Sequence, residues 1–256
     1  MAVELGKPDE NFEKAEAMLC RVAESERPDI AVFPETLNTG FYPRPVVAGM
    51  ADVEGEKTKA LFSSLARRYG INIVAGSVTT VKSGSVYNTS YTFDREGKTI
   101  AEYDKIHAFS PAGEEKIYAQ GTRVVSFELD GIKCGVVICY DIRFGELIRM
   151  LALRGIELLF VPAEWPDIRR DHWITLNRAR AIENQMFVCA VNGCGSGGKT
   201  IYGGHSLLVD PWGKAILHAG ESESIEVGEI DLSVIKDIRE SINVFRDRRP
   251  DIYEAE

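Results

Sequence analysis

The sequence predicts an α/β domain in which parallel strand–helix–strand units are combined with antiparallel hairpins. Three observations carry that expectation. The stretch Ile132 to Pro166, IKCGVVICYDIRFGELIRMLALRGIELLFVPAEWP, reads as strand, tight turn, helix, strand. Helices and strands alternate ahead of it without a linker. Two hairpins, turning at Asp94 to Gly97 and at Asp130-Gly131, bring in antiparallel pairs.

Taken in order, Asn11 to Arg27 places Phe12, Ala15, Met18, Leu19 and Val22 on one helical face, with Asp9 as the expected cap. Asp29 to Phe33 is a buried-type strand that ends in Pro34-Glu35. A second pair follows, helix Lys57 to Tyr69, stopped by Gly70, and strand Ile71 to Val78. The first hairpin joins Val86 to Phe93 with Lys98 to Tyr103, and the second joins Arg123 to Leu129 with Gly131 to Ile138. Between them, Tyr103 to Arg123 (YDKIHAFSPAGEEKIYAQGTR) has little periodicity, and a long ordered loop inside a compact domain usually carries function.

In the central unit, apolar Cys134 to Ile138 forms the first strand. Phe144, Leu147, Ile148, Leu151 and Ala152 then repeat at helical spacing up to Gly155, and Leu158 to Val161 is the second strand. Beyond it come helix Asp171 to Gln185, strand Met186 to Val191, a flexible glycine-rich loop from Asn192 to Thr200, and a pair formed by His205 to Val209 and Ala215 to His218. Val227 to Asp231 is expected as a last strand, and Leu232 opens a helix that precedes the arginine-rich tail FRDRRPDIY.

Composition narrows the functional classes. A chain of 256 residues, 45% hydrophobic and 27% charged, suits one large domain spanning residues 1–256. Its net charge of −9 argues against nucleic acid or an anionic membrane as partner. No apolar run approaches a membrane span and the N-terminus, MAVELGKPDENFEK, lacks the regions of a signal peptide, so a cytoplasmic protein is expected. Five cysteines, an odd number in no disulfide or zinc spacing, fit a reducing compartment and give no reason to expect a metal.

Cys139 is the residue with chemistry to offer. A right-handed parallel crossover leaves the position after its first strand at the carboxyl edge of the sheet, where ligands bind. There the unpaired N–H groups of a helix start favour a thiolate, although a buried, inert thiol is the competing reading. The other cysteines lack that placement: Cys20 lies in a helical pattern, Cys134 inside the strand, Cys189 in the apolar run MFVCAV and Cys194 in the glycine-rich loop. Glu35 occupies the equivalent position, one residue beyond its own strand.

Glu35 in FPE, Lys105 in YDKIH and Cys139 in CYDIRFGE together resemble the Glu-Lys-Cys triad of the nitrilase superfamily, the carbon-nitrogen hydrolases. AEWP, HW and RAIENQ also stand at family positions, so the resemblance spans nearly the whole chain. It implies a four-layer αββα sandwich that dimerises, hydrolysis of a non-peptide C–N bond through a thioester, and no metal or organic cofactor. Cys139 is then the nucleophile, Glu35 the general base and acid, and Lys105, with the backbone N–H of Tyr140, the oxyanion hole. Crowding by a second carboxylate, or burial, would move the Glu35 carboxyl toward neutrality.

The family's second glutamate falls in GEEKIY. Aligning Tyr118 and Gly121 with the family's aromatic and glycine positions assigns Glu115 to that role and leaves Glu114 in solvent. Asp141 and Arg143 either pair to fix the turn, or Arg143 reaches an anionic substrate. Tyr140, Arg143, Glu164 and Trp165 are expected to line the substrate pocket, while His107, His172 and His205 read as packed, hydrogen-bonded side chains. Within the superfamily the closest resemblance is to the ω-amidases, which remove the side-chain amide of 2-oxo acids. N-carbamoyl amino acids and nitriles remain alternatives, as do a non-catalytic protein that binds a small amide and a truncated, inactive member of the family.

The family's usual opening strand, of the type KIALAQMD, has no counterpart here, because Met1 to Leu5 start where it ends. A full-length form with roughly eight more strand-like residues is expected. Phe245, Ile252 and Tyr253 give the tail more apolar content than a free terminus needs, which suggests docking on a second subunit.

Overall fold

The computed structural model describes residues 1–253. In chain order its elements are α1 (Pro8–Ser25), β1 (Ile30–Val32), β2 (Asp52–Val53), α2 (Glu56–Tyr69), β3 (Asn72–Val74), β4 (Val78–Lys82), β5 (Ser85–Phe93), β6 (Thr99–Asp104), β7 (Ser126–Leu129) and β8 (Ile132–Val136). They are followed by α3 (Gly145–Leu153), β9 (Leu158–Ala163), α4 (Arg170–Asn184), β10 (Phe187–Asn192), β11 (Cys194–Gly197), β12 (Thr200–Gly203), β13 (Leu207–Val209), β14 (Ala215–His218), α5 (Ser233–Ser241) and α6 (Pro250–Tyr253).

Two mixed sheets lie face to face with helices outside. The first holds β1 to β6 and the second runs β14-β13-β10-β9-β8-β7. Side-chain alternation along the strands explains the layering. In β3, Val74 joins the core shared with the second sheet, whereas Ile73 joins the core under α1 and α2 with Phe12, Leu19, Phe62 and Phe93. In β1, Ile30 and Val32 face the second sheet and Ala31 faces the helices. The helices α3 and α4 cover the far side of the second sheet through Leu147, Leu151, Trp173 and Ala181. The result is the expected αββα sandwich. Phe62, fully buried, is worth about 3–5 kcal/mol against truncation to alanine.

The connections set where functional groups emerge. β1 pairs parallel with β3, β8 with β9, and β9 with β10. Their carboxyl ends therefore gather on one edge of the molecule. The hairpin β7–β8 turns on Asp130 and Gly131 with φ of 50° and 82°, the two left-handed residues of a tight two-residue turn.

Several elements differ from expectation, each for a local reason. The helix α1 starts on Pro8, so Asp9 sits in its first turn and is not its cap. The run Ile71 to Val78 breaks into β3 and β4, which share one edge of β5, because Gly76 turns the chain at φ 61°. A Cβ at Gly76 would lie 1.9 Å from the Pro34 carbonyl oxygen. That break is the space through which the Pro34-Glu35 segment passes. The glycine-rich loop is ordered as the hairpin β11–β12, turning at Gly198-Lys199. Residues 227–231 form no strand, since no neighbouring strand pairs with them. β1 likewise has β3 as its one neighbour among the described residues, and Ala2 makes an isolated bridge to Cys194 instead of entering the sheet. In the tail, Phe245 packs on the second core beneath Arg149 and Arg239, while Ile252 and Tyr253 stay exposed.

Candidate active site

Three chain segments deliver the site from the carboxyl ends of their strands. Glu35 follows β1, Lys105 follows β6 directly, and Cys139 lies three residues past β8. The Cys139 backbone is left-handed, with φ of 47°, at the head of a tight helical turn over Cys139–Arg143. A non-glycine residue adopts that conformation only when its surroundings enforce it. The enforcing group is Asp141, fully buried, whose carboxylate accepts from the Ile138 N–H at 2.9 Å, the Tyr103 hydroxyl at 2.7 Å and the His107 N–H at 2.9 Å. The His107 ring nitrogen Nδ1 lies 2.8 Å from the same carboxylate and its ring stacks on Phe144 at 3.6 Å. Asp141 therefore ties the turn that carries Cys139 to the strand and loop that carry Lys105. It does not pair with Arg143.

Glu35 is fully buried and every oxygen of its carboxylate is engaged. Oε1 accepts from Lys105 Nζ at 2.9 Å and from Asn88 Nδ2 at 2.9 Å, and Oε2 accepts from the Glu164 backbone N–H at 2.8 Å. Lys105 Nζ reaches both oxygens of Glu114, at 3.1 and 3.0 Å. The second glutamate at the lysine is thus Glu114, buried, and not Glu115, which is exposed. The correction follows from the short helical turn Glu114–Lys116, which begins just after left-handed Gly113 and presents only its first residue inward. Tyr118, buried and four residues on, shares the inward face and bonds through its N–H to the Glu114 carbonyl at 2.8 Å.

Electrostatics set the resting protonation. Burial raises the Cys139 thiol well above its ordinary value, and the Glu35 charge and a hydrogen bond to Glu35 add to that, outweighing Lys105. The resting group is a thiol, contrary to the thiolate expected from the helix start. Burial disfavours charge on Lys105, but Glu114 and Glu35 more than compensate, so it holds its proton firmly. Burial raises the Glu114 carboxyl, with Lys105 opposing.

Glu164 follows β9 and is also buried. Its Oε2 accepts from the Thr36 hydroxyl at 2.9 Å and from the Phe41 N–H. Burial, with the adjacent Glu35 charge, pushes its carboxyl up to about 8. Trp165 is fixed by its N–H on Asn192 at 2.6 Å and its indole N–H on the Arg169 carbonyl at 2.8 Å. The Arg143 guanidinium rests 4.6 Å over the Trp165 ring. Tyr140 packs edge-on against Phe109 and Phe144.

These side chains line one cavity of about 640 Å³, with Glu35, Lys105 and Cys139 among its walls and Tyr140, Arg143, Glu164 and Trp165 around them. All four pocket residues expected from the sequence reach it. Asn88 and Arg169 were not anticipated. A buried asparagine in the middle of a strand was the available signal for Asn88; Arg169 had none apart from its nearness to AEWP. His205, half-buried, contacts His218 at 2.9 Å, whereas His172 is hydrogen-bonded to Arg143 at 3.2 Å but exposed, so it is not the packed side chain expected.

A thiol beside a buried carboxylate and ammonium, in a walled cavity, is an arrangement with the chemical parts that acyl transfer needs. The chain belongs to the carbon-nitrogen hydrolase family, whose model matches residues 4–240. It is therefore an enzyme class that acts on C–N bonds other than peptide bonds. The chain is 44% identical over 251 residues to the 2-oxoglutaramate amidase of Bacillus subtilis, covering 98% of this chain and 96% of that protein. It is 34% identical to omega-amidase NIT2 of Xenopus tropicalis, covering 96% and 92%. Among solved structures, XC1258 of Xanthomonas campestris, a CN-hydrolase superfamily protein with an arsenic adduct in its active site, superposes with a TM-score of 0.90 at 28% identity, covering 97% of this chain and 94% of that one.

Proposed function

We propose that the protein is an ω-amidase that hydrolyses the terminal amide of a small 2-oxo dicarboxylate monoamide, with Cys139 as nucleophile. The observation that carries this reading is the convergence of Cys139, Glu35 and Lys105 in a cavity whose wall also holds Arg143, a cation without a carboxylate partner among the described residues. The similarity to proteins named for 2-oxoglutaramate and ω-amide hydrolysis supports the substrate class.

The residues assign the steps. As the Cys139 sulfur attacks the amide carbon, its proton passes to Glu35, so charge never has to be stored on a buried thiolate. The developing oxyanion is stabilised by the Lys105 ammonium and the Tyr140 N–H. Glu35 returns the proton to the nitrogen, the C–N bond breaks, ammonia leaves and a thioester remains on Cys139. Water then enters, gives a proton to Glu35 and attacks the thioester carbon. The C–S bond breaks, the acid departs, and the proton on Glu35 restores the thiol. Glu114 holds Lys105 in place through both steps, and Asn88 holds Glu35.

A single hydrolase domain over residues 1–256, acting in the cytoplasm as a homodimer or larger homo-oligomer, completes the reading. The exposed Ile252 and Tyr253 of the tail and the absence of a membrane-spanning helix among the described residues support it. Ammonia release from 2-oxoglutaramate tests the activity. It is expected to vanish in Cys139→Ala and to survive replacement of Cys20, Cys134, Cys189 and Cys194. Release from an N-carbamoyl amino acid or a nitrile, with none from 2-oxoglutaramate, would replace the substrate class, and no release from any of them would leave a small-amide-binding protein.

A further inference from the structure

Neighbouring arginines at the cavity rim differ in how they are satisfied, and of Arg169 and Arg170 only Arg169 lines the cavity. Arg170 is paired, its guanidinium 2.6 Å from Asp167 and 2.7 Å from Glu221. Its neighbour Arg169 has no ion pair among the described residues and turns instead to the cavity wall. Arg169 is anchored twice without being neutralised: its carbonyl accepts from the Trp165 indole, and its guanidinium lies 5.4 Å over the Phe109 ring. Phe109 is itself held by its N–H on the Glu114 carboxylate at 2.5 Å. Arg143 lies on the same wall, over Trp165, and its pKa is lowered by burial and, secondarily, by the repulsion of Arg169. Two guanidiniums thus sit within each other's field, each pre-set on an aromatic face, in a chain whose net charge is −9. Holding like charges together in this way costs energy that an anion placed between them recovers.

We propose that Arg169 and Arg143 form a two-guanidinium clamp for the carboxylate at the end of the substrate remote from the scissile amide, with Arg169 selecting anionic amides over neutral ones. The clamp rests on the ω-amidase reading and adds to it the residue that sets substrate charge. Arg169 takes no part in bond making. Its guanidinium fixes the far end of the substrate so that the amide carbon meets the Cys139 sulfur, which makes it a binding and positioning residue.

The test compares 2-oxoglutaramate with pentanamide, a neutral amide of the same chain length, in wild type, Arg169→Met and Arg169→Lys. Methionine keeps an apolar contact with Phe109 and removes the charge. KM for 2-oxoglutaramate is expected to rise about tenfold or more in Arg169→Met and to recover in part in Arg169→Lys, while kcat/KM for pentanamide changes less than about twofold. An equal loss on both substrates, or no loss on either, overturns the clamp. Binding of the product 2-oxoglutarate to Cys139→Ala, with and without Arg169→Met, is measured calorimetrically as a readout independent of turnover. Arg169-dependent binding of this dianion, with no hydrolysis of any ω-amide by wild type, would keep the clamp and discard the ω-amidase reading. Hydrolysis of 2-oxoglutaramate indifferent to Arg169 would do the reverse.

Discussion

Replacing Glu164 by Gln is expected to stabilise the protein near pH 8 and to flatten the dependence of its stability on pH. The carboxyl is buried and pushed up to about 8 by burial, chiefly, and by the Glu35 charge, from an ordinary value of 4.5. Between those two values the native state keeps a proton that the unfolded chain has released. The unfolding free energy therefore falls as pH rises through that window and is level again above about pH 8. Each pH unit is worth about 1.4 kcal/mol, so the whole window amounts to about 5 kcal/mol. Gln has no proton to lose, and its amide oxygen can still accept from the Thr36 hydroxyl and the Phe41 N–H. Urea unfolding of both proteins at about pH 5.5 and about pH 7.5 isolates the effect, because every other titrating group is common to the two. The variant should gain on wild type by roughly 2–3 kcal/mol between those conditions. Two curves that stay parallel across the range would refute the reasoning, since they would mean that Glu164 is already ionised in the folded protein.

Two further substitutions probe the site. Glu114→Gln removes the charge that Lys105 contacts through both carboxylate oxygens, whereas Glu115→Gln alters a solvated neighbour. Ammonia release should fall about 10²-fold in the first and stay within about twofold in the second, and the opposite order would restore Glu115 to the role. Gly76→Ala places a methyl group 1.9 Å from the Pro34 carbonyl oxygen at a backbone φ of 61°. It should displace the Glu35 segment, lower the thermal midpoint by several degrees and reduce kcat more than a distant Gly84→Ala, which meets nothing within 4 Å. Equal effects of the two alanines would show that Glu35 does not depend on this crossing.

Most of the architecture was legible because its signals are local. Leucine and isoleucine spacing after Phe144 gave α3, and the Asp130-Gly131 pair gave a hairpin whose register the structure follows from Leu129 opposite Ile132. What was missed depends on contacts far away in sequence. The break at Gly76 exists because the Pro34 carbonyl occupies the place of a side chain, which periodicity within 71–78 does not encode. Residues 227–231 read as a short strand but have no strand to pair with, and a strand is a property of the pair. The choice between Glu114 and Glu115 turned on the phase of one short helical turn. The four-residue spacing from Glu114 to buried Tyr118 was the readable clue to it. The helix start and the Lys105 charge both favour a thiolate at Cys139, whereas burial and Glu35, which local sequence does not show, dominate in the folded protein.

Mass spectrometry of the protein mixed rapidly with 2-oxoglutaramate and quenched in acid tests the chemistry at its source. A transient mass increase equal to the amide minus ammonia, mapped to the peptide that carries Cys139 and absent in a Cys139→Ala variant, is the predicted result. Turnover without any acyl adduct, or an adduct on a different cysteine, would contradict it.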